Sequence, residues 1–213
     1  MSQNDANNKL MSWFNISGEY SFSKRTSISS LYSLRRANFV ENWQQSLLRV
    51  GISYKATSNL TLTPGYDWVI SFLYGKQPIA EKFTEHRLFE QITLKQNIWK
   101  LKLNHRYRFE QRFFSNNSFV KHRFRYKLGL SIPIDKNTKW SLQAFDELFI
   151  NYGARINNHI FDQNWIYAGI LHKLNKRTAL KLGYMNQYIL KSNNNQTENN
   201  PILQFGINFK FKQ

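Results

Sequence analysis

Residues 60–72 read Leu-Thr-Leu-Thr-Pro-Gly-Tyr-Asp-Trp-Val-Ile-Ser-Phe, and their pattern decides the fold. The even-numbered positions, from Leu60 through Pro64 to Phe72, are apolar or aromatic. The odd-numbered positions carry Thr, Gly, Asp and Ser, with Val69 as the apolar exception. Successive side chains of a β-strand point to opposite faces, so this alternation predicts a strand with one apolar and one polar face.

The same period of two recurs along the whole chain, whereas the helical period of 3.6 is scarce. It predicts about eleven strands, most of them about 10 to 13 residues long, a length that soluble sheets with strands of ~5–6 residues rarely reach. A tilted strand that crosses a bilayer needs ~9–11 residues. The predicted strands lie near residues 12–22, 26–36, 45–56, 60–72, 84–96, 99–113, 123–132, 139–149, 161–172, 180–190 and 203–211.

The connections alternate in length. Short turns at 23–25, 57–59, 96–97, 135–137 and 175–177 separate longer stretches near 37–44, 73–83, 114–121, 150–160 and 191–200. Outer-membrane barrels have short periplasmic turns and longer extracellular loops. We therefore predict an all-β fold, a closed antiparallel transmembrane β-barrel of 10–12 strands that forms one domain over residues 1–213, with a flexible N-terminus at 1–10. Because single-chain bacterial barrels have even strand numbers, we expect ten or twelve strands.

The composition excludes several classes of protein. The chain has no Cys, which excludes a disulfide scaffold, a thiolate metal site and a cysteine nucleophile. Its 41% hydrophobic and 16% aromatic residues are not those of a disordered chain. The net charge of +17 suggests an anionic partner, either nucleic acid or a membrane surface. Residues 1–9 contain no apolar signal-peptide core, so the sequence is silent on export.

The alternating strands fit two orientations. In a soluble barrel the apolar face points inward, and in a membrane barrel it points outward. Aromatic residues near strand ends, such as Trp68, Trp99 and Tyr184, are typical of the girdles at the two bilayer interfaces. Long, numerous strands and charged residues that can pair across strands also favour the membrane barrel. A basic soluble β-protein is the open alternative.

Charged residues on the polar faces predict a network inside the barrel. The predicted turns would set these residues opposite each other: Glu85 and Arg108, Arg87 and Arg106, Arg112 and Arg123, Glu110 and Arg125, Arg125 and Glu147, Arg49 and Asp67. Unlike charges that face each other stabilise a sheet. The predicted lumen charge network is Glu85, Arg87, Arg106, Arg108, Glu110, Arg112, Arg123, Arg125, Glu147, Arg49 and Asp67. It can act as a positive filter that favours anions, or as a packed ion-pair cluster that closes a narrow barrel, which we favour.

The remaining candidate metal-binding and catalytic residues give only weak evidence of a site. His86, His105 and His122 fall on the outward faces and no pair has metal-ligand spacing, so we predict neither a metal nor a cofactor. An enzyme that acts on envelope lipids would need a nucleophile beside a base. His86, His122 and Asp146 are the available pieces and no Ser is placed beside them, so we expect no enzyme.

The basic excess has a different explanation from nucleic-acid binding. A platform for single-stranded nucleic acid interleaves aromatic and basic residues on one face, whereas here they lie on opposite faces, so we expect no nucleic-acid partner. Basic residues beside a bilayer can meet anionic headgroups. Many lie at the short turns: Lys24, Arg25, Lys55, Lys95, Lys100, Lys136, Lys139, Lys173, Lys176 and Arg177. The last strand, with Phe209 and Phe211, looks like the signal read by the barrel-assembly machinery.

Several motifs carry a family resemblance. They are Glu85-His86-Arg87, Arg106-Tyr107-Arg108-Phe109-Glu110-Gln111-Arg112, Arg123-Phe124-Arg125-Tyr126, Glu147-Leu148-Phe149-Ile150-Asn151, Phe161-Asp162-Gln163-Asn164 and Gly183-Tyr184. With them the sequence resembles the outer-membrane proteins of the domain of unknown function 2490 family, found in the Bacteroidota. Trp165 stands where that family often has Arg. The resemblance implies a β-barrel in the outer membrane of a Gram-negative bacterium and no particular activity.

These observations predict a location and an architecture more sharply than a role. We expect a structural or accessory barrel of the cell outer membrane with a charged, mostly occluded lumen. A narrow anion-preferring pore is the second candidate, and an enzyme that modifies envelope lipids is the third. The expected partners are phospholipid or lipopolysaccharide, the barrel-assembly machinery during biogenesis and, as a further candidate, a larger envelope complex.

Overall fold

The computed structural model describes residues 10–75, 81–153, 156, 159–191 and 196–213. Apart from Leu10, the N-terminus predicted to be flexible lies outside these residues. The described part is all-β and contains eleven strands: β1 (Met11–Ser21), β2 (Thr26–Ala37), β3 (Asn42–Lys55), β4 (Leu60–Gly75), β5 (Lys82–Ile98), β6 (Leu101–Phe114), β7 (Lys121–Pro133), β8 (Trp140–Tyr152), β9 (Phe161–Lys173), β10 (Thr178–Leu190) and β11 (Thr197–Lys212). A helix long and apolar enough to cross a membrane is not found among the described residues.

The strands close into a barrel in which each strand pairs with two neighbours. Pairs that are consecutive in sequence are antiparallel, whereas the closing pair of β1 and β11 is parallel. The prediction of a closed barrel is confirmed. The expectation of ten or twelve strands is wrong for the described chain, which has eleven. With an odd number of strands the first and the last run in the same direction, so the barrel can close only through a parallel pair.

The alternation read from the sequence separates the inside of the barrel from the outside. On β4 the side chains of Asp67 and Val69 are fully buried, while Tyr66 and Trp68, one position away, are 38% and 43% exposed. Exposed large apolar residues recur on every strand. A soluble barrel would bury its apolar face, so the exposed apolar face and the buried charged face are those of a membrane barrel.

The predicted strands match the observed strands in order, and the differences are at their ends. The weakly patterned segment at 12–22 is the complete strand β1, and residues 197–200, predicted to lie in a loop, belong to β11. The turn between β5 and β6 consists of Trp99 and Lys100 rather than residues 96–97. Trp99 adopts a φ of 55°, in the left-handed region that few non-glycine residues visit, and its side chain is fully exposed.

One side of the interior is aromatic and apolar. Met11, Trp13, Tyr167, Met185 and Ile202, together with Ala37, form the buried cluster of β1, β2 and β9–β11. The Tyr167 ring lies against two glycines of neighbouring strands. A Cβ at Gly169 or Gly183 would come within 2.1 Å or 2.2 Å of its hydroxyl oxygen, so neither position can hold a side chain while the ring stays in place.

The parallel closure predicts a specific cross-link. Ser17 on β1 is directly opposite Asn208 on β11, and the Ser17 hydroxyl donates a hydrogen bond of 2.5 Å to the Asn208 side chain. Since the chain has no Cys, the double variant Ser17→Cys/Asn208→Cys is expected to form an intramolecular disulfide on mild oxidation. Electrophoresis of the folded barrel with and without reductant measures it.

The control pair is Asn15→Cys/Asn208→Cys, which is two residues out of register and about 7 Å further apart along the strands. It should remain reduced under the same conditions. Equal oxidation of both pairs, or of neither, would contradict the parallel register.

The outward face predicts a penalty for charge in the middle of the membrane band. Leu48 lies near the centre of β3, is 41% exposed and has the outward residues Tyr32 and Trp68 beside it. Leu48→Arg is expected to destabilise the barrel in lipid vesicles by about 2–4 kcal/mol, because the guanidinium would face hydrocarbon. Ser58→Arg, at an exposed turn, is the control and should fold as the wild type does. Equal stability of the two variants would instead support a water-exposed outer face.

Candidate functional site

The predicted lumen network lies on the inward side of strands β3 to β8. Its members are Arg49 on β3, Asp67 on β4, Glu85 and Arg87 on β5, Arg106, Arg108, Glu110 and Arg112 on β6, Arg123 and Arg125 on β7, and Glu147 on β8. The four carboxyl-bearing residues are between 0% and 2% exposed. Burial of an ionised carboxylate costs several kcal/mol unless cations and hydrogen bonds compensate, so the partners of these groups decide whether the interior is stable.

Glu110 is at the centre of the network. Its carboxylate accepts hydrogen bonds from Arg123 at 2.6 Å and from Arg125 at 2.7 Å, through different oxygens. Arg108 lies 3.8 Å from the same carboxylate and 4.0 Å from that of Asp67. A charge-assisted hydrogen bond is roughly twice as strong as a neutral one, so Glu110 fixes two guanidinium groups in a fully buried position.

Glu147 continues the network toward the short turns. One of its oxygens accepts hydrogen bonds from Arg106 at 2.5 Å and from Arg125 at 2.8 Å. Arg125 therefore bridges two buried carboxylates, those of Glu110 and Glu147, with different nitrogens of one guanidinium. The planar fork of arginine suits this bridging, which a lysine ammonium could not reproduce in the same geometry.

Asp67 and Glu85 anchor the other end of the network. Arg49 binds Asp67 through two hydrogen bonds of 2.6 Å, in the paired geometry of guanidinium and carboxylate. Arg87 binds Glu85 at 2.6 Å and lies 3.8 Å from Asp67, and Arg112 binds Glu85 at 2.5 Å. Arg87 thus joins the two carboxylates.

All eleven residues belong to one connected set of ion pairs, none longer than 4.0 Å. The sequence reasoning missed one carboxylate of this set, Asp162 on β9, which binds Arg123 at 3.0 Å. Asp162 lies at the start of a segment in which apolar and polar residues alternate only weakly. The pattern therefore does not predict that its side chain points inward. Since the pairs, with Asp162 included, link the seven neighbouring strands β3 to β9, the network ties most of the barrel wall together across its interior.

The register corrects most of the predicted opposed pairs. Arg49 is opposite Asp67 as predicted. The pairs Glu85–Arg108, Arg87–Arg106, Arg112–Arg123, Glu110–Arg125 and Arg125–Glu147 are wrong as directly opposed residues. The observed opposed pairs are Glu85–Phe114, Arg87–Arg112, Gln91–Arg108, Glu110–Arg123, Arg125–Phe149 and Lys127–Glu147.

The physical reason is the position of the turns. Each misplaced turn slides a hairpin by an even number of residues, which changes the partners and preserves the face. The long arginine side chains also reach diagonal neighbours, so Arg125 contacts both Glu110 and Glu147 although it is directly opposite neither.

The wall across the lumen is aromatic. Trp13 meets Trp165 edge-on with ring centroids 5.2 Å apart, and Phe149 packs on Trp165 at 4.6 Å. Arg35 of β2 lies 3.7 Å above the Trp13 ring and donates a 2.7 Å hydrogen bond to Gln45. This stacked guanidinium is absent from the predicted network because the alternation of its strand is weak.

Three cavities occupy the length of the lumen. A central cavity of about 270 Å³ lies between the charged wall and the aromatic wall. A cavity of about 540 Å³ lies toward the long loops, where Lys121 and His159 line it, and one of about 680 Å³ lies toward the short turns, where Lys95 and Ser131 line it. The central cavity is lined by nine cationic side chains and one carboxylate, that of Glu147, so its surroundings strongly favour negative charge.

The candidate catalytic and metal-binding residues are dispersed. His86 makes a hydrogen bond with the Tyr66 hydroxyl, His122 packs on Tyr152 with ring centroids 5.4 Å apart, and Asp146 accepts a 2.7 Å hydrogen bond from Asn164. The structure therefore gives each of the three a partner outside the trio. Among the described residues, no three His, Asp or Glu side chains lie close enough together to hold a metal ion.

Comparisons with known proteins agree with this architecture. The model of a family described as "Protein of unknown function (DUF2490)" matches residues 10–198. An uncharacterized protein of Methylorubrum extorquens is 28% identical over 162 residues, which cover 72% of this chain and 67% of the relative. These likenesses identify a family and leave the activity open.

Two solved structures are similar in fold. The NanC porin matches with a TM-score of 0.52 at 13% identity, over 92% of this chain and 99% of that one. A loop L8 deletion mutant of OmpT, an outer membrane protein of Vibrio cholerae, matches with a TM-score of 0.45 at 12% identity, over 78% of this chain. The aligned region spans only 55% of the OmpT variant. At 13% identity the likeness to the NanC porin is one of fold, that of an outer-membrane porin-like barrel.

The burial of Glu110 predicts a large effect of removing its charge. Glu110→Gln would leave Arg123 and Arg125 short of a carboxylate in a water-poor interior, and is expected to lower the free energy of unfolding by about 3–5 kcal/mol. Denaturant unfolding in detergent, followed by tryptophan fluorescence, measures the change. The control is Glu19→Gln, which removes an exposed carboxylate 3.7 Å from Lys210 and should have little effect. Equal midpoints for the two variants would contradict a stabilising central network.

Proposed function

Because the chain belongs to the DUF2490 family and folds as a porin-like β-barrel, we propose that it is a structural or accessory protein of the outer membrane whose lumen is closed by the ion-pair network. The observation that carries this proposal is the burial of the central carboxylates. Groups that line an open water channel would be in contact with solvent, whereas Asp67, Glu85, Glu110 and Glu147 are at most 2% exposed. The proposed role is not enzymatic.

The outer surface supports a location in the outer membrane of a Gram-negative bacterium. Apolar and aromatic side chains cover the outward face, and single charged residues there would meet hydrocarbon. The short turns would face the periplasm, where their basic residues can meet anionic phospholipid headgroups. The source among the Bacteroidota that the sequence resemblance suggests stays a prediction.

The proposed partners follow from the same surfaces. Phospholipid and lipopolysaccharide would surround the apolar band, and the barrel-assembly machinery would recognise the last strand, which carries Phe209 and Phe211. A larger envelope complex is a further candidate that could dock on the long loops. A nucleic-acid partner is not proposed, since the lumen arginines lie inside the barrel and the aromatic band lies outside it.

A narrow anion-preferring pore is the second candidate. It is favoured by the lining of the central cavity, where nine cationic side chains outnumber the single carboxylate. Charged rings of this kind select ions by sign. For such a pore to conduct, the side chains between the three cavities would have to move, because the network closes the middle of the barrel at rest.

Planar-bilayer conductance separates the two candidates. Wild-type protein that shows the heat-dependent electrophoretic shift of a folded barrel is expected to give no steady conductance steps, since the ion-pair network is proposed to close the lumen between its cavities. Steady steps with a reversal potential that favours chloride in a KCl gradient would contradict the closed lumen and support the pore.

A variant without two of the lumen charges shows whether the central cavity sets the ion preference. If the wild type conducts, Arg49→Gln/Arg106→Gln should reduce the chloride preference, because both side chains line the central cavity and are partly accessible to water. Retained preference in that variant would place the selectivity outside the central cavity. Lys24→Gln, at an exposed turn between β1 and β2, is the matched control and should not alter the reversal potential.

A further inference from the structure

Three of the nine cations that line the central cavity have no carboxylate within 4.0 Å among the described residues. They are Arg35, Lys127 and Lys181, whereas the other six are held in ion pairs. Lys127 is directly opposite Glu147 in the ladder, but the carboxylate of Glu147 is already bound by Arg106 and Arg125. Arg35, Lys127 and Lys181 are half-buried, and they lack the carboxylate partners that the other six cations have.

Lys127 and Lys181 approach the same aromatic ring. The ammonium nitrogen of Lys127 is 3.4 Å from the centroid of the Phe145 ring, and that of Lys181 is 5.7 Å from it. Because both distances are measured to one point, the two nitrogens are at most about 9 Å apart. Lys181 also lies 4.3 Å from the Tyr167 ring. The aromatic faces offset only part of the cost of two neighbouring positive charges, since a cation–π contact is weaker than an ion pair in such a place.

The two lysines mark a boundary inside the lumen. Arg106, Lys127, Phe145 and Lys181 line both the central cavity and the cavity at the short-turn end. A molecule that enters from the short turns therefore passes Lys95, Lys102 and Lys210, and then meets the three shared cations and the Phe145 ring before it reaches the central cavity. Toward the long loops the central cavity shares only Arg112 with its neighbour, so the boundary is specific to the short-turn side.

Unused hydrogen-bond donors lie in the same cavity wall. The Nε atoms of Arg106 and Arg35 are buried and have no hydrogen-bond partner among the described residues. A buried donor without a partner costs ~1–3 kcal/mol. An anion that accepts hydrogen bonds would stabilise both the cations without a carboxylate partner and the donors without an acceptor.

We propose that this boundary is a binding site for a small organic anion that carries a carboxylate. The carboxylate is held between Lys127 and Lys181 with Arg106 beside them, and the apolar body of the anion extends into the central cavity. The central cavity of about 270 Å³ has room for a body of this kind. This site adds a ligand to the proposed function. It rests on the proposed closed lumen in one respect, which is that the ligand enters from the end of the short turns.

Isothermal titration calorimetry of the folded barrel in zwitterionic detergent at low salt tests the site, with benzoate as the probe. Benzamide, which has the same ring and no charge, is the ligand control. Benzoate is expected to bind the wild type and benzamide to give no heat of binding. Lys127→Gln/Lys181→Gln should weaken the Kd for benzoate about tenfold or more, the size of effect expected when charge-assisted contacts are lost.

Lys102→Gln is the matched protein control, because Lys102 lines the short-turn cavity and not the central one. It should keep the wild-type Kd. The site is overturned if the wild type does not bind benzoate, if benzamide binds equally, or if the double variant and Lys102→Gln bind alike. Should the double variant fail to fold, Lys181→Gln alone and the benzamide comparison still decide the outcome. The titration needs no conduction, so a pore that conducts in bilayers would overturn the closed lumen and leave this result unaffected.

Discussion

The carboxylate of Glu110, shared by Arg123 and Arg125 in a place that water does not reach, is the interaction on which the barrel interior depends. The dependence arises from closure. In lipid every strand must pair on both sides, and the described chain achieves this with eleven strands and one parallel seam. Inside this barrel the carboxylates of Asp67, Glu85, Glu110 and Glu147 are at most 2% exposed. Charges placed on the inner face must therefore neutralise one another.

Arginine is suited to this task because one guanidinium can serve two acceptors. Arg125 joins Glu110 to Glu147, and Arg87 joins Glu85 to Asp67. Strands that are separated in sequence become connected through side chains as well as through the backbone ladder. Removal of Asp67, Glu85, Glu110 or Glu147 therefore has consequences beyond one pair, since each of these carboxylates is shared by at least two cations.

The lumen is chemically asymmetric, and this asymmetry bears most directly on function. Strands β3 to β8 present the paired charges, while β1, β2 and β9 to β11 present Trp13, Trp165, Tyr167 and amide side chains. The two walls enclose a cavity whose lining is mostly positive and partly aromatic. Ion pairs with fully balanced charges would be enough to close the lumen, whereas this lining has an excess of positive charge. The lining is therefore more specific than closure alone requires. The unpaired lysines at the edge of this cavity are the feature that purely structural packing does not explain.

Much of this protein was determined by the sequence alone. The period of two located all eleven strands and separated their apolar faces from their polar faces, because alternation is local and survives any slip by an even number of residues. The aromatic residues near the strand ends and the length of the strands then assigned the apolar face to the outside. The sequence also predicted the opposition of Arg49 and Asp67, whose turn was read correctly. Only the tertiary structure decided the remaining partners, since the turn at Trp99 and Lys100 has no polar turn signature and shifts its hairpin along the strand. Closure decided the parallel seam, because it joins the first and the last strand, and the curvature of the sheet brings Lys181 of β10 near the ring of Phe145 on β8.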